Sequence, residues 1–260
     1  TYLEKTLASE LSANVIDLCP VGALTSRPYA FTARPWELNK VESVDVMDAL
    51  GSNIRVDARG AQVMRVLPRL NEDINEEWIS DKTRYAIDGL RRQRLDTPFQ
   101  RGRDGRLHPV SWDEALKSLA TALRKAKPKA IAAVAGDQAD VESMFALKSL
   151  MTRLGSFNID CRQDGAKIGG KRAGYLFNST IAGIDDADAL LIIGSNPRIE
   201  AAVLNSRIRR NWLSSRMPIG VVGPKIDLTY DADFFGEAPS TLDAIADGTH
   251  KFAAKLKKAK

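Results

Sequence analysis

Cys19 stands directly before Pro20 at the end of an apolar run, in the stretch NVIDLCPVGAL at 14–24. A cysteine followed by a proline is common as the last ligand of bacterial-type iron–sulfur clusters, which are held by thiolates in sets of four. The chain contains one other cysteine, Cys161. Composition alone therefore leaves two interpretations of Cys19, a buried unpaired thiol and a cluster ligand whose partners lie elsewhere.

Two glycine-containing stretches have residue types that can bind phosphate. LLIIGSNPR at 190–198 ends an apolar run and places Pro197 at the start of a predicted helix, whose amide groups attract anions. A plain strand-to-helix connection uses the same residues. GAKIGGK at 165–171 has the glycines and lysine of a phosphate-binding loop, but Arg172 takes the place of the required Ser or Thr and no strand precedes it. We therefore predict a flexible loop there.

Groups for acid–base or nucleophilic catalysis are scarce. His108 and His250 are the only histidines, and neither is near a recognisable pair of nucleophile and base. The acidic group at 185–188 precedes a predicted strand and indicates a solvated loop, with a metal site as the alternative. Cys161 is predicted to be an ordinary half-buried thiol.

The net charge of +5 comes entirely from one end of the chain. Residues 251–260 hold five lysines and no acids, and the rest is balanced at 33 basic and 33 acidic residues. This pattern favours a solvated helix face over a tail that binds nucleic acid or lipid. No apolar run approaches the roughly 20 residues that span a bilayer, and two cysteines without a repeated spacing fit a reducing compartment.

The first half of the chain predicts few regular elements. A helix is expected over 4–11, and alternating side chains at 52–69 predict two strands joined by a tight turn at Arg59 and Gly60. Helical spacing follows at 75–92, and the polar, glycine-rich stretch 97–109 indicates a connection.

From Ser111 onward strands and helices alternate. Ser111 and Glu114 form a capping-box pattern that predicts a helix. Continuous apolar strands are predicted at 130–136, 187–194 and 218–223, with helices at 141–154 and 199–213. Such alternation is typical of a mostly parallel sheet with helices on both faces. The predicted fold class is therefore α/β.

Long phrases of this sequence resemble one family. They are ELSANVIDLCPVGALTSRPYAFTARPWEL, ESVDVMDALGSNIRV, LPRLNEDINEEWISDKTRYAIDGLRRQRL, STIAGIDDADALLIIGSNPR and IDLTYDADFFG. All of them are similar to the large iron–sulfur subunit of respiratory complex I, NADH:quinone oxidoreductase. The resemblance covers essentially the whole chain in order, which makes it far more specific than a single motif.

The resemblance implies three regions and one cluster ligand. Residues 1–40 would end a ferredoxin-like iron–sulfur region, 41–100 would form a small β-rich region, and 101–260 would begin a molybdopterin-oxidoreductase-like α/β domain. Cys19 matches the fourth ligand of a [4Fe–4S] cluster whose other three cysteines lie outside this chain, which we expect to be a fragment. Shielding of that cluster is expected from Val15, Ile16, Leu18, Val21 and Leu24.

Two departures from related proteins limit the cofactors. Some relatives carry a further cluster in the segment that corresponds to 44–80, but this segment has no cysteine, and Ser80 falls near the position of the last one. That cluster is expected to be absent. Molybdopterin enzymes bind two pterin nucleotides and a metal, whereas complex I subunits of this kind are not molybdenum enzymes. No molybdenum or pterin is therefore expected, and 101–260 is interpreted as a scaffold.

The resemblance also implies a place in a larger assembly. The parent would pass electrons from NADH and flavin toward quinone through iron–sulfur clusters, as part of a proton-translocating enzyme; this piece alone is expected to have no catalytic site. Expected partners are other subunits of the peripheral arm, including the NADH- and flavin-binding subunit, without nucleic acid or direct membrane insertion. The expected location is the cytoplasmic face of a bacterial inner membrane or the matrix side of the mitochondrial one. The alternatives are a molybdopterin-dependent oxidoreductase and an anion-binding module without a redox role.

Overall fold

Helices and strands alternate along much of the chain. The computed structural model describes residues 7–136, 138–161 and 169–259. Its α-helices are α1 (Asn14–Leu18), α2 (Asp81–Tyr85), α3 (Trp112–Lys125), α4 (Val141–Arg153), α5 (Pro197–Glu200), α6 (Ala202–Ser215), α7 (Ser240–Ala246) and α8 (Ala253–Lys258). Its strands are β1 (Asn39–Val44), β2 (Asn53–Arg59), β3 (Gln62–Pro68), β4 (Phe99–Arg101), β5 (Leu107–Pro109), β6 (Ala133–Val134), β7 (Ile159–Asp160), β8 (Leu190–Ile193), β9 (Ile219–Val222) and β10 (Asp233–Phe234). The predicted α/β class is confirmed.

Contacts within the chain divide it into two units. The first contains Thr1–Leu90 and Phe177–Lys260, and the second contains Arg91–Leu176. These units are defined by packing, whereas the boundaries predicted near residues 40 and 100 separate regions of different ancestry. Those boundaries stay a prediction.

The predicted hairpin forms two strands of a three-stranded antiparallel sheet in the first unit, with β2 at the centre. β2 pairs with β3 up to the pair Arg59 and Gln62, and β1 pairs along the other edge of β2. Gly60 takes a φ of +59°, a conformation that glycine adopts without strain. One face of the sheet packs its apolar side chains against Ile79, which is fully buried.

A parallel sheet lies in the second half of the same unit. β9 is central, with β8 and β10 parallel to it on either side. All four residues of β9 are buried, as expected for a strand covered on both faces. Gly220 is required there, because a Cβ atom at this position would lie 2.6 Å from Cε2 of Phe235. The core around this sheet consists of Ile184, Ile192, Ile208, Met217, Ile219, Val221 and Leu228.

The helix predicted over 4–11 is wrong for the residues that can be checked. Leu7–Leu11 are not helical, and residues 4–6 lie outside the described ranges; the first helix is α1. The reason is tertiary: the Asp81 N–H donates to the Glu10 carbonyl (2.8 Å), and Oδ1 of Asp81 accepts from the Ala13 N–H (2.9 Å). These bonds hold 10–13 as a turn that leads into α1.

The helix predicted over 75–92 is shorter than the helical spacing of its residues indicated. Only α2 is α-helical, followed by a 3₁₀ helix at Ala86–Arg91. Asn75 is fully buried, and its side-chain amide donates to the carbonyls of Arg69 and Trp78, both at 3.2 Å. Glu76 takes a φ of +51°, which no α-helix allows. A side chain that bonds the backbone in this way competes with the helical ladder.

The second unit contains short strands and two long helices. The connection predicted at 97–109 is a hairpin of β4 and β5, and β6 and β7 form a short parallel pair. α3 begins at the predicted Ser111–Glu114 capping box, which is confirmed. α4 ends before Gly155, whose φ of +70° closes the helix as expected.

The longest α-helices of the described ranges, α3 and α6, have 14 residues each. No helix in those ranges is both long enough and apolar enough to cross a bilayer.

Candidate functional site

Cys19 follows α1 directly and lies at the start of a tight turn, which we call the Cys19 turn (residues 19–24). The thiol is half-buried. Its pKa is lowered from the ordinary value by backbone hydrogen bonds, first from the Leu24 N–H and then from the Val21 N–H. Burial acts in the opposite direction, and the N–H groups of Ala23 and Gly22 lower the pKa further. The turn therefore directs a set of backbone donors toward one sulfur atom.

The local sequence explains this geometry. Pro20 has no N–H, so the first donor after the cysteine is that of Val21. Gly22 takes a φ of +67°, and a Cβ atom there would meet nothing within 4 Å. Its conformation, not lack of space, is thus what demands glycine. It allows the chain to curl back so that later amides face the sulfur.

The apolar residues expected to shield a cluster are mostly exposed. Val15 is 41% exposed, Leu18 58%, Val21 81% and Leu24 48%, and Ile16 is half-buried. Shielding of a cluster by these residues stays a prediction, because their exposure is that of this chain alone. These side chains form an apolar rim around Cys19, because none of them packs into the cores of the first unit.

α1 is held by polar contacts from residues 79–84. The Asn14 side chain donates to the Ile79 carbonyl (2.8 Å) and accepts from the Ile79 N–H (3.2 Å). Arg84 is only 5% exposed and forms a two-pronged ion pair with Asp17, with Nη1 at 3.2 Å from Oδ1 and Nη2 on Oδ2. A forked pair of this kind fixes both distance and orientation.

Ser80, the position expected to replace a cysteine, caps α2. Its hydroxyl accepts from the Thr83 N–H at 3.1 Å and lies 2.8 Å from the Thr83 hydroxyl. That hydroxyl in turn donates to Oδ2 of Asp45 at 2.7 Å. All three side chains are buried. A network of oxygen atoms thus joins the two segments in which the relatives' extra cysteines were expected.

The GSNPR turn at 194–198 has donors that are already used. Gly194 ends β8 with a φ of +61°. The Ser195 hydroxyl donates to Oε2 of Glu200 (3.0 Å), and the Asn196 N–H donates to Oε1 of the same carboxylate (2.8 Å). Arg198 pairs with Glu10 at 2.9 Å and with Asp227 at 2.6 Å. The anion at this turn is therefore the protein's own carboxylate.

The other predicted features have structural roles or cannot be assessed. The 165–171 loop lies mostly outside the described residues. Asp185 pairs with Arg207 (3.0 Å) and Arg210 (2.8 Å), so it stabilises the fold, and no group of three or more metal-ligand side chains was found among the described residues. Cys161 is exposed, so the prediction of a half-buried thiol is wrong; it follows the two-residue strand β7, whose residues are exposed as well.

Sequence reasoning missed three kinds of partner. Nε2 of His108 lies 2.9 Å from Oδ2 of Asp104, and this exposed pair lies within the β4–β5 hairpin. Glu200 could have been predicted as the partner of the GSNPR turn, because it is an acidic residue four positions after Asn196, a residue type that often precedes helices. Arg84 had no signal, because its partner Asp17 is 67 residues away in sequence.

Three family models match the chain. The molybdopterin oxidoreductase model matches residues 94–260. A NADH-ubiquinone oxidoreductase NDSU1/NuoG-like 4Fe-4S domain matches 38–88, and a ferredoxin-like domain of NADH-quinone oxidoreductase subunit 3 matches 1–25.

Similar curated proteins come from plants and fungi. The chain is 54% identical over its whole length to the mitochondrial NADH dehydrogenase [ubiquinone] iron-sulfur protein 1 of Solanum tuberosum, of which it covers 35%. It is also 54% identical to the mitochondrial NADH-ubiquinone oxidoreductase 78 kDa subunits of Neurospora crassa, with 100% of this chain and 36% of the relative covered, and Candida albicans, with 96% and 35%. The chain thus spans about a third of the length of these relatives. The resemblance to the large iron–sulfur subunit of complex I is confirmed, and the chain belongs to the molybdopterin oxidoreductase family.

Proposed function

We propose that the chain is an electron-transfer and structural part of NADH:quinone oxidoreductase, in which Cys19 is one ligand of a [4Fe–4S] cluster. The other three thiolates come from residues outside this chain, since Cys161 is the only further cysteine. The names of the relatives and the match of residues 1–25 to a ferredoxin-like domain support this proposal. The bound cluster supplies a one-electron carrier.

The observation that carries the proposal is that Cys19 lies in the stretch that matches a ferredoxin-like domain, at the start of a turn whose backbone N–H groups lower the pKa of its thiol. A cluster ligand must be a thiolate, and N–H groups directed at the sulfur favour the charged form. The same N–H groups can donate to a metal-bound thiolate, which is one way in which proteins set the potential of a cluster. An ordinary buried thiol needs no such arrangement. The apolar rim of α1 and the Cys19 turn is suited to exclude water once a partner segment covers it.

In this proposal, residues 38–88 hold no iron–sulfur cluster. The stretch has no cysteine, and the hydroxyls of Ser80 and Thr83 are engaged with each other and with Asp45. Soft thiolate ligands are what iron–sulfur clusters require. The match of this stretch to a 4Fe-4S domain therefore reflects ancestry and fold.

Residues 101–260 act as a scaffold, preceded by a β-rich region at 41–100 and a ferredoxin-like end at 1–40. The family matches at 1–25, 38–88 and 94–260 support these three regions. The alternative, a molybdopterin-dependent oxidoreductase, needs donors that are free to hold nucleotide phosphates. At the GSNPR turn Glu200 already takes the Ser195 and Asn196 donors, which argues against a nucleotide phosphate at this turn. Molybdenum at about one atom per chain in the purified protein would favour the alternative.

The proposed partners are other subunits of the peripheral arm of complex I, including the NADH- and flavin-binding subunit. The exposed apolar rim beside Cys19 is consistent with a protein partner. The proposed location is the matrix side of the mitochondrial inner membrane or the corresponding cytoplasmic face in bacteria, and the names of the relatives support the mitochondrion.

The test compares two single-cysteine variants in the complete subunit, meaning this chain together with the residues that provide the other three thiolates. Cys19→Ala should lower the iron content by about four atoms per protein, with loss of one cluster signal in electron paramagnetic resonance (EPR) spectra. Cys161→Ala, the matched control, should leave both unchanged. Equal iron content in the two variants would exclude Cys19 as a ligand. A stable [4Fe–4S] cluster in the isolated chain would contradict the idea of partners outside it.

A further inference from the structure

We propose that residues 79–84, which we call the clamp, position the Cys19 turn for cluster binding, with Arg84 as the main positioning residue. This inference rests on the proposed role of Cys19 as a ligand. It assigns a purpose to a region that matches a 4Fe-4S domain but contains no cysteine. In this role the region acts on a neighbouring cluster and holds none itself.

The first argument is that α1 cannot fix Cys19 unaided. The helix has five residues, and isolated helices shorter than about 12 residues are unstable in water. Its N-terminal cap residue, Ala13, has no side chain that could bond the first turn. The position of Cys19 must therefore be set by contacts outside the helix.

The clamp provides those contacts at the start of α1. Oδ2 of Asp81 accepts from the Ser12 hydroxyl at 2.6 Å, and Oδ1 accepts from the Ala13 N–H at 2.9 Å. The Asp81 carboxylate thereby replaces the missing cap. Next along the helix, the side chain of Asn14 pairs with both backbone groups of Ile79, at 2.8 and 3.2 Å. Asn14 and Ile79 are buried, so these bonds are protected from water.

Arg84 provides the contact nearest to Cys19. Its guanidinium grips Asp17, two residues before the cysteine, and also donates to Oδ1 of Asn14 at 3.3 Å. The Arg84 side chain is 5% exposed, whereas that of Asp17 is 25% exposed. A buried guanidinium without its carboxylate is costly, so the pair holds the end of α1 against the clamp.

The clamp is itself held in place by the β-rich region. Ser80 and Thr83 join Asp45 at the end of β1, and Ile79 lies in the core under β2 and β3. A ligand must be held within about 0.5 Å of its working position to bind a metal group well. The chain of bonds from Asp45 through the clamp to Asp17 meets this need through buried side chains.

A purely structural role for Arg84 makes a different prediction, and Arg207 offers the matched control. Arg207 is also buried, at 4% exposure, and donates to Asp185 (3.0 Å) and to the Glu72 carbonyl (2.6 Å). Within the described residues its hydrogen bonds and ion pairs reach Glu72, Glu76 and Asp185, and none of these lies in α1 or the clamp. Arg84→Gln and Arg207→Gln should therefore destabilise the fold alike and differ only at the cluster.

The experiment uses the complete subunit and measures three properties of the cluster that depends on Cys19. These are its EPR g-values, its midpoint potential and its rate of iron loss to a chelator. Arg84→Gln should change the g-values, accelerate iron loss about tenfold and move the potential to more negative values, because Asp17 loses its positive partner. Arg84→Lys should restore the potential in part. Arg207→Gln should lower the unfolding temperature and leave all three properties unchanged.

Two outcomes would overturn the inference. They are wild-type cluster properties in Arg84→Gln, and equal cluster changes in Arg84→Gln and Arg207→Gln. If Arg84→Gln does not fold, Asp81→Asn removes one acceptor of the clamp more gently, and it must then accelerate iron loss relative to Arg207→Gln. Failure of the proposed function is distinguishable, because in that case Cys19→Ala retains the full iron content.

Discussion

The Cys19 turn and the GSNPR turn have similar backbone geometry, but their donors face different kinds of partner. Each contains a glycine with positive φ, Gly22 or Gly194, and each gathers donors around one point. In the GSNPR turn these donors are met by Glu200, four residues further along the same chain. In the Cys19 turn they face a thiol that can ligate a metal. In one turn the Ser195 and Asn196 donors are paired within the chain, and the other turn is arranged for a ligand.

The difference shows how an inherited site can be judged from its hydrogen bonds. Family membership alone connects both turns to cofactors, since the molybdopterin model covers one and a ferredoxin-like model the other. Buried or aligned donors must find an acceptor. Where the protein supplies that acceptor itself, the turn has become part of the scaffold.

The largest effect on this comparison is expected from Gly22→Ala. An L-residue at a φ of +67° costs about 1–2 kcal/mol, and the strain should rotate the amides of 21–24 away from the sulfur. In a Cys161→Ser background, alkylation of Cys19 by iodoacetamide at pH 7 should become slower.

Gly60→Ala is the control for that prediction. It has a similar φ of +59° and open space at the Cβ position, but it lies in the β2–β3 hairpin. It should lose similar stability without altering the reactivity of Cys19. Equal alkylation rates in the two variants would contradict the proposed alignment of donors.

A smaller effect is expected from Glu200→Ala. The change leaves the Ser195 hydroxyl and the Asn196 N–H without their carboxylate and should lower the free energy of unfolding by about 1 kcal/mol. Glu114→Ala removes the comparable cap of α3 and should cost a similar amount. Chemical denaturation measures both. An unchanged stability in Glu200→Ala alone would mean that the GSNPR turn is not closed by its own carboxylate.

The smallest effect concerns pH. Because backbone donors favour the thiolate, the midpoint of the alkylation rate of Cys19 against pH should lie below that of an unstructured cysteine peptide. A lowered pKa in the folded state stabilises the protein above the unfolded pKa, and this contribution is lost as the pH falls through the folded value. Cys19→Ala should abolish it. If the pH midpoint for Cys19 equals that of the peptide, the backbone donors do not favour the thiolate. The proposed difference between the two turns would then be lost.

Local patterns were sufficient for the elements that depend on neighbouring residues. The hairpin at Gly60, the capping box of α3 and the closure of α4 at Gly155 all follow from signals a few residues long. The parallel pairing of β8 and β9 followed from apolar strands separated by a helix.

Elements set by distant partners could not be predicted. The helix predicted from Asn75 starts only at Asp81, because the Asn75 amide bonds the backbone around it. The first helix starts only at Asn14, because Asp81 bonds the turn that precedes α1. At the candidate site, the Cys-Pro pair indicated a ligand, but the amides facing its sulfur depend on φ at Gly22. The bond between Arg84 and Asp17 joins positions that no short motif connects.

The pair of hydrogen bonds between Asn14 and Ile79 makes the support of α1 depend on one side-chain amide. The Asn14 amide donates to the carbonyls of Leu11 and Ile79, at 2.9 and 2.8 Å, while its oxygen accepts from Ile79 and Arg84. Deamidation would replace the donating nitrogen by a negatively charged oxygen facing two carbonyls. A single slow hydrolysis at this side chain would thus detach α1 from its support and loosen Cys19 without altering the cysteine itself.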